Sequence, residues 1–443
     1  HIPTSSFLKL CFSERKVHFL SEVDKKSRKK QLEMYIFALN LTCMEQINTI
    51  DKISAVYRNT AEEARQELNK VQQKIYRIGS LRLLLFVAGV VGIIYFWSES
   101  WGILACIALI TLLPFLFLMK YHNRLFHRKD YLEKKMEINE QELAALDYDT
   151  SSFDDGEAYI DPTHLYTYDL DVFGPHSLFQ YINRTCTQPG KHRLAHWLGK
   201  HLERKEEIIR RQEAVSELAP ELKFRQRFRI LGLLYKGKAA DETELCQWAE
   251  SPSIFRSQKL LRLLPVLVTG ANLICLALVM AGILSASIYG IIWTCFVIAG
   301  FGFTGKVTKM QAIYGKKLQI LSTYAALLHL MEKQPAQATL LKEIRQQIGG
   351  EKRKASHSIS RLNKLMDELD QRNNVFMYVI LNGLFFWELR QIMRIEAWKE
   401  QYAAELPGWL DAIGQMDALN SLATFAYNHP DYIYPKIVQA ERK

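Results

Sequence analysis

Two groups of residues have the types and spacing that could support chemistry. In the first, Gly300, Gly305 and Lys306 fit the G-x-x-x-x-G-K pattern of a phosphate-binding loop. Val307 stands where that loop needs Ser or Thr to bind Mg²⁺, and the pattern ends an apolar run instead of joining a strand to a helix. We therefore interpret the segment as the Gly-rich end of a membrane helix, with Lys306 reaching towards the headgroups.

The second group is a pair of histidines, His192 and His196, which are four residues apart and would share one face of a helix. The pair lacks the Glu of the H-E-x-x-H zinc motif and a third ligand nearby. None of the seven cysteines belongs to a C-x-x-C pair. We predict that the chain contains no catalytic residue, no cofactor-binding residue and no metal site.

A basic cluster follows the turn at Gly349 and Gly350. The net charge of +10 fits a protein that binds nucleic acid or anionic lipid. The cluster could contact DNA phosphates, or it could be a solvated face or lie near anionic lipid. The candidate DNA-phosphate contacts are Lys352, Arg353, Lys354, Arg361 and Lys364.

Four apolar runs divide the chain, and the segments between them would be positioned by the structure that these runs form. They cover residues 83–97, 101–119, 263–284 and 288–303. A membrane helix needs about 20 residues, which the second and third runs reach and the others approach. No Asp, Glu, Lys, Arg or His lies at the centre of a run, which argues against a channel or transporter. We predict four transmembrane helices in two hairpins, 83–119 and 263–303.

Lys and Arg flank the outer ends of both hairpins, and neither connecting turn contains one. The positive-inside rule therefore places both termini and all large segments in the cytoplasm. We expect a protein that is integral to the cytoplasmic membrane. The flanking residues include Arg77, Arg82, Lys120, Arg124, Arg256, Lys259, Arg262, Lys306 and Lys309.

The segments around the first hairpin have helical patterns. Residues 44–82 predict an amphipathic helix with the narrow apolar stripe of a coiled coil, and 120–158 predict a further helix and an acidic linker. These two helices would pair as a stalk, or each would lie along the rest of the protein. Residues 1–43 are an atypical N-terminal segment, and Met44 is an alternative start.

Strand patterns are scarce in the rest of the chain, so the predicted fold class is mostly α. Residues 159–258 have the pattern of short turns and amphipathic helices, and 306–443 have the pattern of long helices. The long helices are predicted at 307–333, 337–348, 352–373, 375–403 and 408–426.

Residues 168–218 carry the motifs of a known family. The stretch 168–198 resembles the entry to the core domain of the MutS mismatch-repair family, with a G-S-L-F type element, N-x-T-x-T-x-x-G and L-x-x-W-L. Residues 208–218 look like the I-x-x-R-Q-x-A-V-x-x-L helix of that family, and 416–426 are similar to its segment before the ATPase domain. The matching residues are Ser177, Leu178, Phe179, Asn183, Thr185, Thr187, Gly190, Leu194, Trp197, Leu198, Arg211 and Gln212.

These motif residues also have a physical interpretation. Thr185 or Thr187 together with Gly190 suits a turn into a helix, because hydroxyls cap helices and Gly allows positive φ. The apolar residues of the L-x-x-W-L motif would form one helix face, and Arg211 with Gln212 would bridge neighbouring helix ends. All of these roles are structural.

The resemblance implies a MutS-like core and lever domain formed by 159–258 and 306–443, with the second hairpin inserted. It implies DNA binding coupled to an ATPase domain that we expect this chain to lack, so ATP and Mg²⁺ are expected only if such a domain follows, and the chain itself is predicted not to be an enzyme. Membrane lipid, duplex DNA and a second copy of the chain are the expected partners. The alternative function is a membrane scaffold that uses the helical core for protein contacts.

Overall fold

The computed structural model describes residues 25–98, 101–234, 239–253, 255–256, 258–314, 318–349, 354–370 and 375–438. The chain divides into two compact units, residues 1–55 and 56–443. The mostly α fold class is confirmed, since the described residues form helices and contain no strand. The helices are α1 Lys25–Tyr95, α2 Trp101–Leu146, α3 Leu178–Ile182, α4 Gln188–Gly199, α5 Lys205–Leu218, α6 Leu222–Leu234, α7 Ala239–Glu250, α8 Lys259–Met280, α9 Ala286–Tyr314, α10 Leu318–Lys333, α11 Thr339–Gln347, α12 Ala355–Asp370, α13 Val375–Phe385, α14 Trp387–Tyr402 and α15 Leu406–Asn428.

The helices α1 and α2 carry the first two apolar runs and pack against each other. A Cβ atom built on Gly89 of α1 would lie 3.0 Å from the hydroxyl of Thr111 in α2, so small residues bring the backbones close. Further from the turn that joins the two helices, Arg128 of α2 pairs with Glu67 of α1 at 2.9 Å. The buried apolar side chains between them are Leu68, Val71, Leu125 and Leu132.

Two described helices are long and apolar enough to cross a membrane, by length and composition. They are the Thr49–Tyr95 part of α1 and the Leu261–Met280 part of α8. Only 6% and 17% of their most apolar windows are buried, unlike the core helix of a soluble protein. Ala286–Gly302 in α9 is apolar but shorter. The four spans of the sequence analysis therefore stay a prediction.

The single helix predicted over 375–403 is two helices that meet at Phe386. This residue has a φ of 46°, in the left-handed region that an aromatic residue rarely adopts. The side-chain amide of Asn272 in α8 donates to the carbonyl oxygens of Gly383 and Leu384 at 3.1 and 3.3 Å. Because a helix end leaves such carbonyls without partners, the contact from α8 stabilises the break.

The main core of the larger unit lies among α10, α12, α14 and α15. A smaller cluster, with Phe179, Leu194 and Ala418 fully buried, lies where α3, α4 and α15 meet. Helix α15 takes part in both clusters and is therefore buried along most of its length. Buried polar groups without hydrogen bonds are costly, and Asp417, Ser421 and Thr424 of α15 all have partners inside the protein.

Candidate functional site

The turn between α3 and α4 is held by its own polar side chains. Asn183 ends α3, and its Oδ1 accepts hydrogen bonds from the N–H and the hydroxyl of Thr185 at 3.0 and 2.6 Å. Thr187 caps α4, since its Oγ1 accepts from the N–H of Gly190 at 3.1 Å. Of the two threonines proposed for the cap, Thr187 is the one that occupies it, and Thr185 shapes the turn before it.

Asp417 of α15 fastens this turn to the core. The residue is 1% exposed. Its carboxylate accepts from the N–H of Cys186 at 3.0 Å, the N–H of Thr187 at 2.8 Å and the hydroxyl of Thr187 at 2.7 Å. A negative group at the start of α4 also interacts favourably with the positive end of the helix dipole. Two of the segments that resemble the MutS family, 168–198 and 416–426, are therefore in direct contact.

Two glycines allow this close approach. A Cβ atom built on Gly190 would overlap the Asp417 carboxylate, and one built on Gly414 would lie 2.8 Å from the carbonyl oxygen of Pro189. Any larger residue at either position would push α4 away from α15. The glycine of the N-x-T-x-T-x-x-G motif is thus required by packing, because its φ is not in the left-handed region.

Burial controls the protonation of both acidic groups in this contact. Burial raises the pKa of Asp417 to about 6, although the hydrogen bonds from Thr187 and Cys186 oppose the change. Burial and the nearby Asp417 raise the pKa of the Cys186 thiol well above its usual value. Its Sγ lies 3.4 Å from Oδ1 of Asp417, so the neutral thiol donates to the carboxylate. Since the thiolate is the reactive form, this cysteine is held unreactive.

Glu142 of α2 forms a second buried group of charges. Its carboxylate lies 2.7 Å from Nε of Arg184 and 2.6 Å from Nη1 of Arg229. Burial alone would raise the pKa of Glu142, but Arg184 and Arg229 bring it below its usual value. The carboxylate is therefore ionised at neutral pH, and its single negative charge pairs with two buried guanidinium groups.

Asn428 connects these charges to α15 and α1. Its side-chain amide donates to Glu142 at 3.0 Å, and its Oδ1 accepts from the hydroxyl of Tyr57 at 2.7 Å. Arg225 adds a further link by donating to Oγ1 of Thr424 at 2.7 Å. We call Tyr57, Glu142, Arg184, Arg229 and Asn428 the buried junction. It joins the helices that carry the first two apolar runs to the helical domain.

A polar cavity of about 220 Å³ lies beside the turn and the buried junction. Arg184, Arg229 and Cys186 contribute to its wall, and Lys191 pairs with Asp154 at 2.6 Å on the same wall. The charges are paired with one another, and the thiol is neutral. Within the described residues, no group of three His, Cys, Asp or Glu side chains could hold a metal ion. The hydrogen bonds and ion pairs of this wall hold the turn against α2, α6 and α15.

Apart from Leu178, the other motif residues of α3 and α4 cap a helix or pack in the smaller core cluster. Ser177 caps α3 by accepting from the N–H of Gln180 at 3.2 Å. Phe179 and Leu194 are fully buried, whereas Leu178 is 46% exposed. His192, one of the two histidines weighed as metal ligands, lies 2.8 Å from the hydroxyl of Tyr159 through Nδ1.

The second motif helix, α5, contacts α4 and the C-terminal segment. The guanidinium of Arg211 lies 4.0 Å from the ring centre of Trp197, and burial lowers the pKa of Arg211 to about 10. Gln212 donates to the carbonyl oxygen of Pro435 at 3.4 Å. Leu198 packs against the smaller core cluster.

The structure describes three of the five candidate DNA-contacting residues. Lys354, Arg361 and Lys364 are exposed at the start of α12 and along it. Lys352 and Arg353 lie outside the described residues. The opposite face of α12 is buried in the main core, so the basic side chains point away from the domain.

The sequence analysis did not single out Asp417, Glu142 or their arginine partners. A signal existed for Asp417, because it is the only Asp, Glu, Lys or Arg in residues 412–428. A lone charge in an apolar helix needs buried partners. Glu142 gave no such signal, because it follows several other charged residues in α2.

Comparison with known proteins adds one result. A family model described as MutS domain III matches residues 164–423. The matched range contains the turn between α3 and α4, as well as Asp417, whereas Tyr57 and Glu142 of the buried junction precede it. No curated protein and no solved structure matches the chain.

Proposed function

This chain belongs to the MutS family of DNA mismatch repair proteins, and on that basis we propose that it is a membrane-anchored member whose helical domain binds duplex DNA. The observation that carries the proposal is the contact of Glu142 with Arg184 and Arg229. This contact attaches a helix with an apolar run to the family's domain. In this proposal the chain acts without catalysis and without a cofactor of its own.

Membrane anchoring is supported by the exposure of large apolar side chains. On α1, Phe86, Ile94 and Trp97 next to its end are 59%, 69% and 74% exposed. On α8, Val266 and Leu273 are 69% and 61% exposed. Exposing this much apolar surface to water costs free energy, whereas contact with lipid acyl chains does not. We propose two hairpins, 83–119 and 263–303, with the helical domain in the cytoplasm because Lys and Arg flank their outer ends. Helix α13 is the exception, because it packs against the second hairpin at the level of Asn272.

The membrane proposal predicts resistance to alkaline extraction and a defined labelling pattern. We expect the full chain to stay in the membrane pellet after carbonate treatment. Ser285→Cys, in the turn between α8 and α9, should gain label from a membrane-impermeant maleimide in intact cells, relative to the wild type with its exposed Cys106 and Cys295. Ser216→Cys, which is exposed on α5, should react only after the membrane is opened. Release by carbonate, or labelling of Ser216→Cys in intact cells, would contradict the proposal.

DNA binding is supported by the family and by the basic face of α12. Arg361 and Lys364 are three residues apart, and Lys354 lies seven residues before Arg361, so the three side chains follow one side of the helix. Each cation that contacts a phosphate releases counterions, which makes binding weaker as salt rises. Lys and Arg side chains suit contacts with the phosphates of the DNA backbone, which position a protein on the duplex without reading its sequence.

The DNA proposal predicts a salt-dependent affinity that requires this face. We expect the full chain in detergent to bind duplex DNA in an electrophoretic shift assay. The slope of log affinity against log salt is negative. Replacing the three cations with Gln should make it less steep by about 2 to 3. A matched control removes three exposed cations elsewhere. The test variant is Lys354→Gln, Arg361→Gln and Lys364→Gln, and the control is Arg58→Gln, Lys223→Gln and Arg227→Gln.

Two outcomes would overturn the DNA proposal. The first is the absence of binding at low salt, which would favour the membrane scaffold that uses the helical domain for protein contacts. The second is an equal loss of slope in the test and control variants, because binding would then follow the net charge of the protein and not the face of α12.

A further inference from the structure

A groove with a volume of about 550 Å³ lies between α8 and α14. Its lining contains four arginines, and most of its other residues are apolar. The arginines are Arg256, Arg262, Arg390 and Arg394. On α8, Val266, Gly270 and Leu273 line the groove at helical spacing, and Met393 and Ala397 of α14 line it from the other side. The groove therefore combines positive charge with an apolar surface.

Two of the four arginines have an acidic partner. Arg256 pairs with Glu400 at 2.8 Å, and Arg394 pairs with Glu368 at 3.0 Å. Arg262 donates to the carbonyl oxygen of Arg256 at 2.6 Å and has no ion pair with any described residue. Arg390 is exposed and likewise has no ion pair with the described part of the chain. The groove thus presents two positive charges that are available to an anion.

The dimensions of the groove match one leaflet of a bilayer. Arg262 and Leu273 are eleven residues apart on α8, which corresponds to about 16 Å along the helix axis. The hydrocarbon core of one leaflet is about 15 Å thick. If Arg262 lies at the headgroup level, Leu273 reaches the middle of the bilayer. The break between α13 and α14, whose carbonyl oxygens accept from Asn272, then lies beside α8 within the same leaflet.

We propose that this groove binds one anionic phospholipid of the cytoplasmic leaflet. The phosphate contacts the guanidinium groups of Arg262 and Arg390, which suit phosphate oxygens in geometry and charge. An acyl chain lies over Val266, Gly270 and Leu273. A zwitterionic headgroup is disfavoured, because it brings its own cation to a site with four arginines. The proposal rests on the membrane anchoring proposed above.

Gly270 provides a way to fill the groove without disturbing the fold. A Cβ atom built on Gly270 meets no atom within 4 Å, so Gly270→Leu would extend into open space. Gly290 on α9 has the same open surroundings, which makes Gly290→Leu a matched control. Both changes replace glycine in a helix by a better helix former, so neither is expected to reduce stability.

The test is native mass spectrometry of the full chain released from detergent. The probes are dioleoylphosphatidylglycerol, dioleoylphosphatidylcholine and glycerol 3-phosphate. We expect one phosphatidylglycerol to be retained, with an affinity at least tenfold higher than that of phosphatidylcholine. The double variant Arg262→Gln, Arg390→Gln should weaken phosphatidylglycerol at least tenfold, and Arg58→Gln, Arg227→Gln should not. Gly270→Leu should weaken both lipids, whereas Gly290→Leu should leave both unchanged.

Three results would overturn the lipid site: equal retention of the two lipids, an unaltered affinity in the Arg262→Gln, Arg390→Gln variant, or competition by glycerol 3-phosphate at the concentration of the lipid. The last result would mean that the apolar part of the groove contributes nothing. Failure of anchoring is separate, because carbonate would then release the chain. A chain that resists carbonate but shows no lipid preference would refute this site alone.

Discussion

Replacing Asp417 with Ala is expected to destabilise the contact between α4 and α15 by on the order of 3 kcal/mol, since buried donors without an acceptor are costly. The donors are the N–H groups of Cys186 and Thr187 and the hydroxyl of Thr187. The measurement is amide hydrogen exchange in peptides that cover residues 183–190 of the full chain. Exchange there should be about 100-fold faster than in the wild type.

Asp411→Ala is the matched control for this change. Asp411 lies on the same helix, is partly exposed and pairs with Arg193. Partly exposed ion pairs contribute about 1 kcal/mol or less, so exchange in 183–190 should change little. Equal effects of the Asp417 and Asp411 changes would contradict the role given to Asp417.

The same carboxyl group predicts a pH effect. Its folded-state pKa of about 6 is above the ordinary 3.8, so the native state holds the proton more tightly than the unfolded state does. The stability from this proton is fully present below about pH 4 and is lost as the pH rises through 6. Asp417→Asn does not titrate. The stability of the wild type relative to Asp417→Asn should therefore fall from pH 4 to 7, by on the order of 3 kcal/mol. Parallel pH profiles of the two proteins would contradict this.

Replacing Glu142 with Ala is expected to have an effect of about 3 to 5 kcal/mol, because it leaves Arg184 and Arg229 buried without a counter-charge. Amide exchange should rise in the last turns of α2 and in the turn that contains Arg184. Glu140→Ala is the control, since Glu140 is two residues away on the same helix and 51% exposed. Its effect should be below about 0.5 kcal/mol.

A compensating variant separates lost charge pairing from a general defect in α2. Replacing Glu142, Arg184 and Arg229 together with Met removes every charge of the group and keeps apolar volume. Such replacements of buried ion groups are often neutral or stabilising. The triple variant should therefore exchange more slowly than Glu142→Ala. A triple variant as unstable as the single one would mean that the charges of Arg184 and Arg229 are not the cause.

The sequence by itself determined where the apolar runs lie, that the fold is helical and which family the chain belongs to. The apolar runs are visible because each is a long succession of residues without a charge, and two of them reach about the 20 residues that a membrane helix needs. The helical class follows from apolar positions at steps of three and four, and the family follows from the motif between Ser177 and Gln212. The cap at Thr187 was also within reach, since a hydroxyl residue three positions before Gly190 is a local signal.

Only the tertiary structure decided which of these elements meet. Asp417 and Thr187 are 230 residues apart, and no local pattern pairs them. The break at Phe386 depends on Asn272 of α8, a helix that lies more than 100 residues earlier in the chain. The buried junction needs α1, α2, α6 and α15 at once. Local propensity acts over a few residues, whereas the pairing of a buried charge depends on what the whole fold brings to it.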